Sequence, residues 1–201
     1  MTNCKNRFSE FRFLICALVI FCFSISGCAS FPGKELPTLT YQQLDRPTQK
    51  QSIDYDVRSP IIRGTVSFED EVKIVFNRSD IFVNFHTGSG SERLHLSISF
   101  DYGPNLLGNT IVAIGSAIIC GATFFILPGY ANDDIYLHVD VKKDDQILKH
   151  YEYHDSVKTW FQLGMVFWAA SNSILTVDRD VIDNMLLNFL HDFQKDNILQ
   201  A

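Results

Sequence analysis

Hydrophobic and polar positions along this chain change period several times, and each change predicts an element. Ile53, Tyr55 and Val57 alternate with Asp54, Asp56 and Arg58, the period of two expected of a half-buried strand. Ser67 then stands where a helix N-cap would, Glu69, Asp70 and Glu71 fill the first turn, and Phe68, Val72, Val75 and Phe76 share one face. That pattern predicts a helix ending near Asn77 to Asp80. Residues 81–86 and 93–102 return to strand patterns, joined across Thr87-Gly88-Ser89-Gly90-Ser91 as a hairpin. In the second of these strands Leu94, Leu96, Ile98, Phe100 and Tyr102 form an inward row. Another hairpin follows: Ile135, Leu137, Val139 and Val141 alternate with Tyr136, His138, Asp140 and Lys142, and a second strand runs over 147–155, with Leu137 facing Tyr153 and Val139 facing Tyr151. The last segment, 178–199, has helical spacing, with Val181, Ile182, Met185, Leu186, Phe189, Leu190 and Phe193 as an apolar stripe and Asp178, Asp180 and Asp183 at its positive end.

Two stretches break this alternation by carrying no charge. Residues 106–127 carry no charged side chain and would rise about 33 Å as a helix, against a hydrocarbon core of about 30 Å, so the run is long enough to span a membrane. Ala113, Ala117 and Gly121 recur every fourth residue and would let another helix approach closely. A competing reading is a buried helical hairpin broken at Gly115. Residues 159–177 open with Trp160 and Trp168 eight positions apart, but Gln162, Ser171, Asn172 and Ser173 make them a poor isolated span and suggest an interfacial or partner-buried segment.

The start of the chain has a different pattern. Lys5, Arg7 and Arg12, offset by Glu10, make a positive n-region; residues 13–25 make a 13-residue apolar h-region, too short to span; Ile25-Ser26-Gly27-Cys28 follows. This arrangement resembles the signal peptide and lipobox of bacterial lipoproteins. The resemblance implies cleavage before Cys28, diacylglyceryl and N-acyl groups on that residue, palmitate among them, and a lipid-anchored chain facing the periplasm. Ala29 in the next position implies the outer membrane. A helical hairpin made of the two uncharged stretches would instead imply the inner membrane, with 133–158 on its cytoplasmic side. The order strand, helix, strand, strand after residue 50 is similar to the α/β modules of several envelope lipoproteins, including the TolB amino-terminal type. One such fold hosts many functions, so no activity follows from it.

Processing changes the balance of charges and thiols. Removing 27 of 201 residues leaves 174, enough for a real core, and takes away three Lys/Arg and one Asp/Glu, which moves the net charge from −6 to −8. Such an acidic chain is a poor partner for nucleic acid. Cys4, Cys16 and Cys22 leave with the signal and Cys28 carries lipid, so Cys120 is the remaining thiol, set among apolar neighbours and expected to be buried and inert. Pro32, Pro37 and Pro47 among polar residues predict that 28–50 is a tether.

Candidate chemistry is sparse. The polar face of the 135–155 hairpin gathers His138, His150 and His154 with Asp140 and Glu152, the ligand types for Zn²⁺ or another divalent ion. Outward alternation in an antiparallel sheet accounts for the same residues, a one-residue slip would move the second strand's set to the apolar side, and no His-Glu-x-x-His spacing supports a metal. Gly88-Ser89-Gly90-Ser91 lacks the Lys-Ser/Thr of a phosphate loop, and no Gly-x-Ser-x-Gly or Ser-x-x-Lys nucleophile motif occurs. No catalytic residue and no cofactor is therefore assigned.

The expectation is a signal peptide over 1–27, a lipid-anchored tether over 28–50 and one α+β domain over 51–201. That domain has antiparallel β-units, an amphipathic helix in each half and an apolar helical insertion at 106–127. Functionally it is read as a non-enzymatic envelope component for assembly, transport support or scaffolding, attached to the membrane at Cys28 and through 106–127, with envelope proteins as partners. The first rival is a binding protein for a lipid or other apolar ligand, in a pocket lined by Phe124, Phe125, Trp160, Phe167 and Trp168. The second is a metal-dependent hydrolase.

Overall fold

The computed structural model describes residues 26–45, 50–59, 67–88, 94–103, 106–123, 126–144, 146–163, 165, 173–196 and 198. The n-region, the h-region and Ile25 lie outside them, as do Phe124, Phe125, Phe167 and Trp168 of the expected apolar pocket. In chain order the elements are β1 (Ser26–Pro32), β2 (Gln51–Arg58), α1 (Phe68–Ser79), β3 (Phe82–Thr87), β4 (Leu94–Tyr102), α2 (Leu106–Ala122), β5 (Gly129–Lys143), β6 (Gln146–Leu163) and α3 (Ile174–Lys195). The class is α+β, as expected. The strands form a six-stranded sheet in the order β1-β6-β5-β4-β2-β3.

Strand directions correct one expectation. β2 runs parallel to both β3 and β4, while β4 is antiparallel to β5. The hairpin expected across 87–91 does not form, because β3 and β4 lie on opposite sides of β2. Helix α1 between β2 and β3 makes a βαβ unit, whose crossover delivers a parallel neighbour. Ile53, Asp54 and Tyr55 of β2 are all buried, which suits a strand with partners on both edges.

The chain gathers into two compact units. The larger unit comprises residues 32–106, 133–157 and 175–201. Its core forms where inward rows meet in register: Leu96 opposite Val141, Ile98 opposite Val139 and Phe100 opposite Leu137, each 0% exposed. Val72, Val75 and Phe76 of α1 and Val181, Met185, Phe189 and Phe193 of α3 complete that core. Each such side chain removed from water stabilises the fold by about 1.5–3 kcal/mol before entropy is counted. Tyr151 and Tyr153 of β6 face the same way; their hydroxyls donate to Asp196 at 2.6 Å and Asp192 at 2.9 Å, and burial raises both phenol pKa values.

Helix α1 begins and ends as its sequence dictates. The Ser67 hydroxyl accepts from Asp70 N at 3.3 Å, and Asp80 closes the helix at φ 55°. Helix α3 starts at Ile174, four residues before Asp178, so the acidic residues expected at its positive end fall inside it and its first turn holds none. No proline or glycine separates Ser173 from Asp178, and the helix extends backward through Ile174-Leu175-Thr176-Val177.

Much of the stretch expected to be a tether is built into the larger unit. Gly33 N donates to Ser156 O at 2.6 Å, and a Cβ on Gly33 would lie 2.1 Å from Ser156 Oγ, so this approach requires glycine. Leu39 N donates to Asn184 Oδ1 at 3.0 Å, Asn188 Nδ2 donates to Pro37 O at 3.0 Å, and Leu44 is buried in the core. The apolar residues spaced among the prolines, Leu36, Leu39, Tyr41 and Leu44, supply the contacts that a free linker would lack.

The smaller unit comprises 1–31, 107–132 and 158–174. Its helix α2 has 17 residues, a rise of about 26 Å, short of a hydrocarbon core of about 30 Å. Among the described residues no helix is long and apolar enough to cross a membrane. This corrects the expected span over 106–127. It also removes the hairpin that put 133–158 in the cytoplasm, because those residues continue β5 and β6. The helix stops where Thr123 Oγ1 turns back to the carbonyls of Ile119 and Cys120, and Gly129 opens β5. It is unbroken at Gly115, so the buried-hairpin reading does not hold either. Residues 159–163, expected to open an interfacial segment, end β6 instead, and Ile174 to Val177 begin α3.

Candidate functional site

Two features stand out, one in each unit. In the larger unit the outward rows of β4 and β5 pair Ser97 with Asp140, Ser99 with His138 and Asp101 with Tyr136, giving a polar face opposite the core. Rings stack along it: His154 on Tyr136 with centroids 4.5 Å apart, Tyr136 on His138 at 6.4 Å, and His138 on His150 at 5.9 Å. Carboxylates flank each imidazole. Asp140 Oδ1 lies 2.6 Å from His150 Nδ1, Asp101 Oδ2 lies 4.0 Å from His138 Nε2, and His154 has Glu35 Oε2 at 2.7 Å from Nδ1 and Asp134 Oδ1 at 3.8 Å from Nε2.

Of the three histidines singled out from sequence, the structure brings His138 and His150 together with Glu152, their ligand atoms within 4.8 Å of one another. His154 is set apart beyond Tyr136 and engaged by Glu35. The alternation of β5 and β6 could reveal which side these residues share. Asp101, Asp134 and Glu35 could not be found that way, because each comes from outside the predicted pair of strands.

Sequence reasoning also missed a cluster where β4 meets β2. His95 Nε2 lies 2.7 Å from Asp56 Oδ1, the Ser97 hydroxyl reaches Asp56 Oδ2 at 3.4 Å, and Arg58 Nε donates to the same oxygen at 3.0 Å. The serine contacts the carboxylate rather than the imidazole, so this is not the relay of a serine hydrolase. The parallel β2–β4 pairing that assembles it was not expected from sequence.

In the smaller unit, α2 turns the usual amphipathic order inside out. Among the described side chains its buried and half-buried positions are Asn109, Ala113, Ser116 and Cys120, continued by Thr123 just past its end, small or polar residues on one narrow stripe. The aliphatic residues from Ile111 onward point away: Ile111 is 70% exposed, Ile118 65%, Val112 57%, Ile114 56% and Ile119 55%. The stripe is held by polar contacts. The Ser116 hydroxyl donates to Tyr130 O at 2.7 Å and accepts from Tyr130 N at 3.0 Å, while Cys120 Sγ donates to Phe161 O at 3.3 Å. Gly129 lets β5 come close, since a Cβ there would meet Cys120 Cβ at 3.2 Å. The close approach therefore uses Ala113, Ser116, Cys120 and Gly129, whereas Ala117 and Gly121 of the expected small-residue repeat are exposed. Cys120 is buried, as its neighbours implied.

The same unit contains Cys28 in β1, exposed, next to Ala29, which is 0% exposed. Ser30 Oγ and Thr159 Oγ1 share a buried hydrogen bond at 2.8 Å that fixes β1 beside β6. Trp160 is 37% exposed and packs against Tyr130 with ring centroids 4.9 Å apart and planes tilted by 56°.

No family model matches this sequence, and no curated protein matches it. Among solved structures the chain is similar to a minor lipoprotein from Acinetobacter baumannii, at 9% sequence identity and a TM-score of 0.44, covering 75% of this chain and 96% of that one.

Proposed function

We propose that this chain is a lipid-anchored component of the bacterial cell envelope that works without catalysis, in assembly, transport support or scaffolding, with α2 seated in one leaflet beside the acylated Cys28. The observation that carries the reading is the inverted polarity of α2 in the unit that also holds Cys28. Contiguous exposed aliphatic surface of this kind marks an interaction face. A helix that lies in the interface plane buries its apolar side in lipid without needing the length of a span. With Ala29 buried immediately after Cys28, the anchor has no spacer, and the unit that carries it is held at the lipid surface. Because α2 does not span, the conflict between Ala29 and an inner-membrane hairpin disappears, and the outer membrane is the proposed site.

Metabolic labelling with an alkyne fatty acid tests the anchor. The native chain is expected to take up label and Cys28→Ala to take up none. Label retained by Cys28→Ala, or absent from the native chain, would refute the lipid anchor.

A further inference from the structure

We propose that His138, His150 and Glu152 form a binding site for a divalent transition cation of the zinc type on the polar face of β5 and β6. Their ligand atoms lie within 4.8 Å of one another, so side-chain rotation on the fixed strands can bring them to the roughly 3.5 Å that separates ligands about 2.1 Å from one tetrahedral ion. Two imidazoles and one carboxylate make a donor set of intermediate softness, which suits Zn²⁺, Co²⁺ or Ni²⁺ better than Ca²⁺ or Mg²⁺. Three protein ligands leave the fourth position of a tetrahedron open to water or to a further ligand.

The sheet holds this set in place. His138 stands on β5, and His150 and Glu152 occupy alternate positions of the neighbouring β6, so their backbones are fixed by strand pairing. The Asp140 carboxylate, 2.6 Å from His150 Nδ1, orients that ring and commits its Nδ1 proton, leaving Nε2 as the donor to a metal. Asp101 brings a second carboxylate to 4.0 Å from His138 Nε2. His138 is half-buried while His150 and Glu152 are exposed, so an ion reaches the site from solvent. His154, engaged by Glu35 at 2.7 Å on the far side of Tyr136, is not a member. This proposal uses residues of the larger unit and does not rest on the membrane reading.

The test uses the full chain, purified in mild detergent, stripped with chelator and titrated with Zn²⁺ by calorimetry and with Co²⁺ by visible absorption. One ion per chain is expected, with a Co²⁺ spectrum free of thiolate charge-transfer bands. His138→Gln and His150→Gln should each weaken binding by more than about tenfold, and Asp140→Asn by about 10- to 100-fold, as for carboxylates behind metal-bound imidazoles. His154→Gln should bind as the native chain does, and thermal melts of all four metal-free variants serve as the check on folding. Absence of stoichiometric binding, a thiolate spectrum, or unchanged binding in a folded His138→Gln/His150→Gln double variant would overturn the site.

Discussion

Asp183 on α3 has a buried Oδ1 with no hydrogen-bond partner, and its carboxyl contributes to the pH dependence of stability. Desolvation first, and the nearby charge of Glu71 second, push its carboxyl from the ordinary 3.8 up to about 6; Arg78 and Arg179 oppose this without cancelling it. A carboxyl whose pKa is raised on folding gives up its proton more readily in the unfolded chain. The folded state therefore loses relative stability as pH climbs from about 3.8 through about 6, and the deficit is complete above that. Asp183→Asn is predicted to raise the melting temperature at pH 7 and to leave it unchanged below about pH 3, where the carboxyl is neutral in both the folded and the unfolded chain. An equal gain at both pH values would assign the effect to something other than ionisation. Residues of this kind were only half legible. The alternation of β5 and β6 showed which side His138, His150 and Glu152 take, since a strand's period fixes the face. It could not show their partners: Glu35 sits in a stretch read as a linker, and Asp56 meets His95 only through a parallel pairing.

Elements were legible where local chemistry decides and obscure where a neighbour does. Helix α1 has its cap, its acidic first turn and its apolar face written within a dozen residues, and it forms as read. Because the Ser67 hydroxyl satisfies a backbone N–H of the first turn, Ser67→Ala is predicted to cost about 1 kcal/mol in urea unfolding, the usual worth of such a cap. A change under about 0.3 kcal/mol, the level of an uncapped surface substitution, would mean that the cap contributes nothing. The turn-rich stretch between β3 and β4 reads locally as a hairpin, yet β2 takes the place between the two strands. That outcome depends on the βαβ crossover, a long-range event with no local signature. Helix α2 was visible as apolar and uncharged, but its length was not: it ends at Ala122, where Thr123 Oγ1 turns back to the carbonyls of Ile119 and Cys120. Stretch 28–50 misled for the opposite reason: its prolines signal a linker, while the scattered Leu36, Leu39, Tyr41 and Leu44 pack on the core.

At the scale of the whole molecule, the composition is acidic and the leading segment resembles a lipoprotein signal, and the two units add different properties to that picture. The larger unit has an ordinary apolar core and a polar sheet face crowded with imidazoles and carboxylates. The smaller unit reverses the usual rule, covering serine, cysteine and threonine while presenting isoleucines. Exposed aliphatic surface on that scale lowers solubility unless something covers it, and the leaflet proposed for α2 would cover it. The central claim is therefore that α2 lies in lipid, and depth-dependent quenching measures it directly. An environment-sensitive fluorophore on Ile118→Cys, in the lipidated chain reconstituted into vesicles, should be quenched by lipids carrying a quencher on the acyl chain and shielded from iodide. The same probe on Val83→Cys, an exposed position of β3 in the larger unit, should show the reverse. Iodide quenching of the Ile118 probe as strong as that of the Val83 probe, with no quenching from the acyl chains, would contradict the account.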